Sequence, residues 1–121
     1  MAVSFFKNWM AYRKGFLLQR EIRKVSSSWP AAEKFSLTDQ IKRSSRSVGS
    51  NLAESFAKRR YPKHFIAKIT DAAGENYETQ AWLDVALDEG YIRRTQYDEL
   101  IEKSEEVGKL LSYMVNHPEK F

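Results

Sequence analysis

The residues of this chain that could do chemistry are mainly cationic, and they crowd into one stretch. Between positions 42 and 68 the only acid is Glu54. Clustered lysine and arginine bind phosphates, and a neighbouring aromatic ring can stack on a base. A solvated charged face with salt bridges to an acidic neighbour is the alternative explanation. The predicted nucleic-acid contacts are Arg43, Arg46, Lys58, Arg59, Arg60, Tyr61 and Lys63.

The charge of the whole chain is polarised along its length. The net charge is only +4, but residues 1–70 hold 15 Lys and Arg against 4 Asp and Glu. Residues 71–121 reverse the balance, with 5 Lys and Arg against 12 Asp and Glu. The basic half therefore has two uses open to it, namely phosphate or the acidic half of another copy.

Catalytic chemistry finds little support in the sequence. There is no cysteine, which excludes disulfides and thiolate chemistry and fits a reducing compartment. The two histidines, His64 and His117, belong to no Glu-x-x-His pair, and neither a G-x-S-x-G motif nor a glycine-rich phosphate loop is present. We expect no catalytic residue, no metal and no cofactor. Without a signal peptide or an apolar span of membrane length, the expectation is a cytoplasmic protein with no membrane partner.

The elements that must position these residues are helices. A length of 121 residues predicts a single domain over 1–121. Apolar residues recur every three to four positions, no alternating run indicates a strand, and the three prolines and Gly90 stand where helices would begin or end. Helices are predicted over 6–25, 36–60, 62–89 and 95–117, with Ser36 and Thr95 as N-caps and Gly90 as a terminator. The fold class is therefore all-α, an antiparallel up-down-up-down four-helix bundle.

The inward faces of the first two predicted helices follow from the same spacing. Phe6, Trp9, Tyr12, Phe16 and Leu17 mark that of the first, and Leu37, Ile41, Val48, Leu52 and Phe56 mark that of the second. A polar seam lies beside the second stripe, and two amides fall inside the apolar stripe of the third helix. Since buried amides need partners, we expect a polar network between these helices that fixes their register. Its predicted members are Gln40, Asn51, Glu54, Asn76 and Gln80.

Small residues at Gly49, Ala53 and Ala57 form a third face of the second helix. A mid-helix glycine costs about 1 kcal/mol, so this face suggests a close helix–helix contact, within the subunit or between subunits. On the third helix, Trp82 and Val85 lie away from the core, which suggests a protein–protein surface. A Trp half-covered by a loop would explain the same pattern. These five residues are the predicted oligomer interface.

The order of several residues resembles the signature of the 23S rRNA intervening-sequence proteins, a bacterial family. The likeness runs from Trp9 into the fourth helix. It rests first on Glu33, Leu37, Gln40, Ile41, Arg43, Ser44, Ser47 and the segment Asn51-Leu52-Ala53-Glu54, then on Phe65, Glu78, Gln80, Leu83, Ala86 and Gly90-Tyr91-Ile92. Gly49 stands where the family often has proline, and Ser55 where it usually has glycine, so the second helix should be more regular here.

The resemblance implies an antiparallel four-helix bundle that assembles as a homopentamer and carries no catalytic residues. A related branch, the accessory proteins of diversity-generating retroelements, implies nucleic-acid binding and a reverse transcriptase partner if this chain belongs to it. The leading hypothesis is thus a basic, non-catalytic homo-oligomer that binds RNA or DNA, with RNA favoured. The alternative is a structural or adaptor oligomer whose charges serve interfaces, because a ring joins two different patches.

Overall fold

Four long helices connected by short turns account for most of residues 5–121, the part of the chain that the computed structural model describes. Between residues 5 and 121 there is no strand, which agrees with the predicted all-α class. The helices are α1 at Met10–Ser26, α2 at Leu37–Ala57, α3 at Pro62–Asp88 and α4 at Arg94–Asn116. Short 3₁₀ turns lie at Phe6–Asn8, Ala31–Glu33 and Pro118–Lys120.

Cross-helix contacts show that neighbouring helices run in opposite directions. Ser44 of α2 pairs with Thr79 of α3, whereas Glu54, further along α2, pairs with Lys68, earlier in α3. Each of α1 and α3 packs against both α2 and α4. The bundle therefore has the predicted up-down-up-down order, with α1 and α3 on a diagonal. The same reversal appears in the pairs Asn76–Ser104, Asp84–Tyr97, Lys14–Glu106 and Glu21–Lys103.

The predicted inward face was right for α2 and only partly right for the first helix, where Trp9 is buried and Phe6 and Tyr12 are partly buried against the core. Leu37, Ile41, Val48 and Leu52 are all buried, and Phe56 is half-buried. On α1 the buried residues are instead Ala11, Gly15, Leu18, Ile22 and Ser26.

Two of the bulky residues expected in the core lie at the surface of α1. Phe16 is 43% exposed and Leu17 is 54% exposed. At this level α1 approaches α2 closely, since a Cβ on Gly15 would lie 3.4 Å from Val48 Cγ1. The small residues there allow the approach, and Phe16 lies at the edge of the contact, in the lining of a groove between the two helices.

Several predicted helix ends are shifted by two to four residues. The 3₁₀ turn at Phe6–Asn8 precedes α1, so α1 starts at Met10 and not at Phe6. The second helix ends at Ala57 and not at Arg60. At the start of α4 the N-cap is Arg93 and not Thr95.

The start of α2 is capped by a carboxylate from the preceding turn, because the side chain of the N-cap residue Ser36 makes no capping hydrogen bond. Glu33 Oε1 accepts hydrogen bonds from the Leu37 N–H at 3.3 Å and from Ser36 Oγ at 2.6 Å. Tyr91 Oη donates to Glu33 Oε2 at 2.8 Å. These donors, led by Ser36 and Tyr91, lower the pKa of Glu33. The bonds tie the α3–α4 loop to the first turn of α2.

The end of α3 matches the prediction that Gly90 terminates it. Gly90 has φ of +75°, and the Tyr91 N–H donates to the Ala86 carbonyl at 2.9 Å. This closing bond is the pattern of a Schellman C-terminal motif, which favours glycine at the left-handed position.

The buried polar network joins α3 to α4, not to α2 as predicted. Asn76 Nδ2 donates to the Ser104 carbonyl at 2.9 Å, and Ser104 Oγ donates to Asn76 Oδ1 at 2.8 Å. Gln80 Nε2 donates to Ser104 Oγ at 2.9 Å. One serine thus satisfies both amides, because its backbone carbonyl and its hydroxyl face α3 together.

The α2 members of the predicted network have other roles. Gln40 is exposed, Asn51 donates to the Ser47 carbonyl of its own helix at 2.8 Å, and Glu54 is ion-paired with Lys68. The polar link between α2 and α3 is instead the buried hydroxyl pair of Ser44 and Thr79, at 2.8 Å.

Replacing the shared serine should therefore destabilise the bundle. Ser104→Ala removes the partner of Gln80 Nε2 and the donor to Asn76 Oδ1, which leaves buried polar atoms unpaired. We expect a loss of about 1–3 kcal/mol in the free energy of unfolding, measured by urea denaturation. The control is Ser112→Ala at an exposed position of the same helix, with a change within about 0.5 kcal/mol. Equal effects of the two substitutions would contradict a structural role for the network.

Candidate nucleic-acid interface

The bundle carries its charge on opposite sides. All 15 Lys and Arg of the first 70 residues lie between Lys7 and Lys68, on α1, α2, the start of α3 and the turns that flank these helices. Within residues 5–121 only Lys14, Arg43 and Lys68 of these have a carboxylate within 4.0 Å. The acids lie mainly on α3 and α4. The α1–α2 side therefore presents a surplus of cations without acidic partners.

The structure separates the seven predicted nucleic-acid contacts into three groups. Arg43 is exposed, but its Nε lies 2.8 Å from Asp39 Oδ2, so its charge is partly neutralised. Arg46 lines a groove between α1 and α2. The remaining five, Lys58, Arg59, Arg60, Tyr61 and Lys63, lie at the α2–α3 corner, which here means residues 58–63.

At the corner, one arginine is held by the fold. Arg59 Nε donates to the Phe56 carbonyl at 2.8 Å, and its guanidinium lies 3.6 Å from the centre of the Phe56 ring. The arginine thus closes the end of α2 and covers an aromatic side chain.

The other corner residues are more accessible. Lys58, Arg60 and Lys63 are exposed, and Tyr61 is 59% exposed with its ring edge-on to His64. A hollow of about 690 Å³ beside the corner is also lined by Glu119, whose carboxylate lowers the positive potential there. The corner can contact phosphate, but it is not a purely basic site.

The α1–α2 groove is the more strongly basic of the two features. It has a volume of about 610 Å³, and none of the side chains that line it is acidic. Gly49 and Ala53 belong to its lining, and a Cβ on Gly49 would lie 3.4 Å from Tyr12 Cε1. The small-residue face of α2 therefore makes a close contact within the subunit at Gly49. Ala57, the third member of that face, is exposed at the end of α2.

Aromatic rings continue from this groove to the corner. The ring centres of Phe56 and Phe6 are 5.8 Å apart, those of Phe6 and Tyr12 5.1 Å, and those of Tyr12 and Phe16 6.2 Å. The Arg20 guanidinium lies 5.4 Å from the centre of the Phe16 ring. These rings were predicted to face the core, so the groove was not predicted from the sequence. The available signal was the pair of mid-helix glycines, one on each helix.

The outward face of α3 contains the remaining interface residues. Val85 is 39% exposed and Tyr77 is 68% exposed. Trp82 is only partly exposed, and its Nε1–H donates to Glu78 Oε1 at 3.2 Å. Burial, with Glu78 and Asp71 nearby, raises the pKa of Glu75. Tyr77, Val85 and the edge of Trp82 remain available to a partner.

Comparison with known proteins places this helical bundle in a recognised protein family. The family model of the 23S rRNA-intervening sequence protein matches residues 7–113, so the chain belongs to that family. A crystal structure of a protein of unknown function from the S23 ribosomal protein family of Bacteroides thetaiotaomicron has a TM-score of 0.78 and 29% sequence identity. The match covers 88% of this chain and 95% of the other. No curated protein matches the chain.

The described residues, 5–121, contain neither a candidate membrane span nor a candidate metal site. In that part of the chain, no helix combines the length and the apolar character needed to cross a membrane. No group of three or more His, Asp or Glu side chains is placed to hold a metal ion there.

The structural role of Arg59 can be tested against its neighbour. Arg59→Lys keeps the charge but loses the planar group that covers Phe56 and bonds its carbonyl. We expect a loss of about 0.5–1 kcal/mol in the free energy of unfolding, measured by urea denaturation. Arg60→Lys, at an exposed position, is the control and should change it little. A lysine at position 59 that is tolerated as well as one at position 60 would show that the contact is energetically neutral.

Proposed function

We propose that this protein is a non-catalytic nucleic-acid-binding module that acts as a homo-oligomer, with RNA as its ligand. One observation carries the proposal, namely the basic α1–α2 side, where most cations have no carboxylate partner in the described structure. A surface of this kind repels itself unless counterions or an anionic ligand cover it. Nucleic acid is the ligand with the matching density of negative charge.

The binding would be largely electrostatic and independent of sequence. Lysine and arginine contacts to phosphates release condensed counterions, so affinity falls steeply as salt rises. Contacts to phosphates position a protein but carry little sequence information. Among the corner residues, Arg60 and Lys63 are the best placed for such contacts, since both are exposed and neither has a carboxylate within 4.0 Å in residues 5–121.

The preference for RNA draws support from the family. Its name associates its members with intervening sequences of 23S rRNA, and this chain is matched over residues 7–113. The matched crystal structure is of a protein whose function is unknown, so it adds support for the fold alone. A reverse transcriptase would be a further partner only if the chain belongs to the retroelement branch.

Self-assembly is supported by a row of uncharged residues on the outward face of α3. These exposed residues follow one another along the helix, with an aromatic side chain among smaller ones, although Asp71 and Glu78 lie beside them. An aromatic anchor within a polar rim is typical of interfaces between subunits. A homopentamer, as the family resemblance implies, would use this face with a different patch of the next subunit. The residues are Ala67, Thr70, Gly74, Tyr77, Ala81 and Val85.

The nucleic-acid proposal predicts a salt-dependent interaction that weakens when corner cations are removed. Arg60→Ala with Lys63→Ala should lower the slope of log affinity against log salt by about two, because two phosphate contacts are lost. The measurement is fluorescence anisotropy with structured RNA and duplex DNA over a range of salt concentrations. The matched control, Arg94→Ala with Lys109→Ala, removes the same charge from α4. If the unaltered protein does not bind nucleic acid at low salt, the nucleic-acid proposal is rejected and the structural or adaptor alternative remains.

The oligomer proposal predicts that a charge on the α3 face dissociates the assembly. Ala81→Arg places a long cation on the proposed contact and should reduce the mass measured by multi-angle light scattering to that of one chain. Ser112→Arg introduces the same side chain at an exposed position of α4 and should leave the mass unchanged. A monomeric unaltered protein at micromolar concentration would contradict the proposal.

A further inference from the structure

We propose that the α1–α2 groove binds an unpaired nucleic-acid strand. Phosphates would contact Arg20, Arg23 and Arg46, and bases would stack on the rings of Tyr12 and Phe16. This inference rests on the proposed function and makes it more specific, because it names single strands as the ligand. It also moves the principal contact from the α2–α3 corner to a surface that includes much of α1.

The charges of the groove lining support this proposal. Arg20, Arg23 and Arg46 all line the groove and are all exposed. Between residues 5 and 121, no carboxylate lies within 4.0 Å of any of the three. The corner differs in both respects, since Arg59 is bonded to the fold and Glu119 lines the adjacent hollow. An anionic strand therefore meets no opposing charge in the groove lining.

The order of side chains along the groove also supports the proposal. Since α1 and α2 are antiparallel, Arg20 and Arg23 near the end of α1 lie towards Arg46 in the first half of α2. The opposite end of the groove is formed by the start of α1 and by Ala53. From Arg46 to Phe56 the helix rises about 15 Å. Arg20 lies beside the Phe16 ring, with Tyr12 further towards the start of α1, so the groove places cations and rings next to each other for contact with backbone and bases.

The shape of the groove between α1 and α2 supports the proposal as well. Gly15, Ser45, Gly49 and Ala53 all line the groove, so its floor carries no large side chain, and α1 and α2 approach each other closely there. The walls carry larger groups, including Phe16, which is 43% exposed. The groove is therefore a channel with an aromatic and cationic rim rather than a flat charged face.

The aromatic rim selects for unpaired bases. In a duplex the base faces are stacked on one another, so rings on a protein cannot reach them without disrupting the helix. In a single strand each base can stack on an aromatic side chain, and proteins that bind such strands combine these rings with a positive groove. Phe6 and Phe56 extend the ring series beyond Tyr12 to Arg59, where it meets the corner.

The test compares single strands and duplexes across matched variants. Fluorescence anisotropy would be measured with labelled polyuridine RNA, a polythymidine DNA of equal length, and duplexes of the same length. Phe16→Ala should weaken binding of the single strands roughly five- to tenfold and affect the duplexes little. Phe16→Tyr should retain binding because a ring remains. Leu17→Ala, an exposed apolar neighbour outside the groove lining, should have no effect.

The arginines have a separate test. Arg20→Ala with Arg23→Ala should lower the salt slope by about two for single strands, whereas Arg94→Ala with Lys109→Ala should not. Equal affinity of the single-strand and duplex probes for the unaltered protein would overturn the selection of unpaired bases.

Three outcomes separate this inference from the function on which it rests. Absence of salt-dependent binding by the unaltered protein would reject the proposed function itself. If the groove variants still bind but Arg60→Ala with Lys63→Ala does not, the proposed nucleic-acid function is supported and the groove is rejected as the binding site. Groove variants that change the mass in light scattering, but not the affinity for strands, would show that a second copy occupies the groove and would also overturn the inference.

Discussion

The close approach of α1 and α2 is the constraint on which the basic side of the molecule depends. A Cβ on Gly15 would lie 3.4 Å from Val48, and one on Gly49 would lie 3.4 Å from Tyr12. Small residues at these two points let the helices approach, with the Tyr12 ring against Gly49 and Phe16 at the edge of the seam beside Arg20. The same constraint thus explains an apolar side chain left at the surface and the groove that it borders.

Most of the fold could be predicted from the sequence because three of the helices carry a single apolar stripe. The first helix has two stripes that overlap, one of bulky rings and one that includes Ala11, Leu18 and Ile22. Side-chain size favours the rings as core residues, and only the neighbouring helix decides between the two. The deciding feature is the close contact at a glycine on each helix, Gly15 against Val48 and Gly49 against Tyr12, and the sequence alone does not show these pairings.

The sequence predicts which residue types form the buried polar network and the candidate site, but it does not predict how those residues are arranged. A buried amide at Asn76 is evident from its place in an apolar stripe, but its partner is partly a backbone carbonyl, that of Ser104, which no pattern of side chains reveals. The cationic cluster shows the same limit. Adjacent arginines at positions 59 and 60 differ completely in role, because only the first reaches the Phe56 ring and carbonyl.

This difference in role bears on which cations can serve a ligand. An arginine that already bonds a helix carbonyl and covers a ring must give up those contacts, or share them, when it binds a phosphate. Arg20, Arg23 and Arg46 have no carboxylate within 4.0 Å among the described residues, although Arg20 lies 5.4 Å from the centre of the Phe16 ring. An anion bound in the groove as proposed would relieve the repulsion among these arginines and stabilise the folded bundle, whereas binding at Arg59 would compete with the contacts of that side chain.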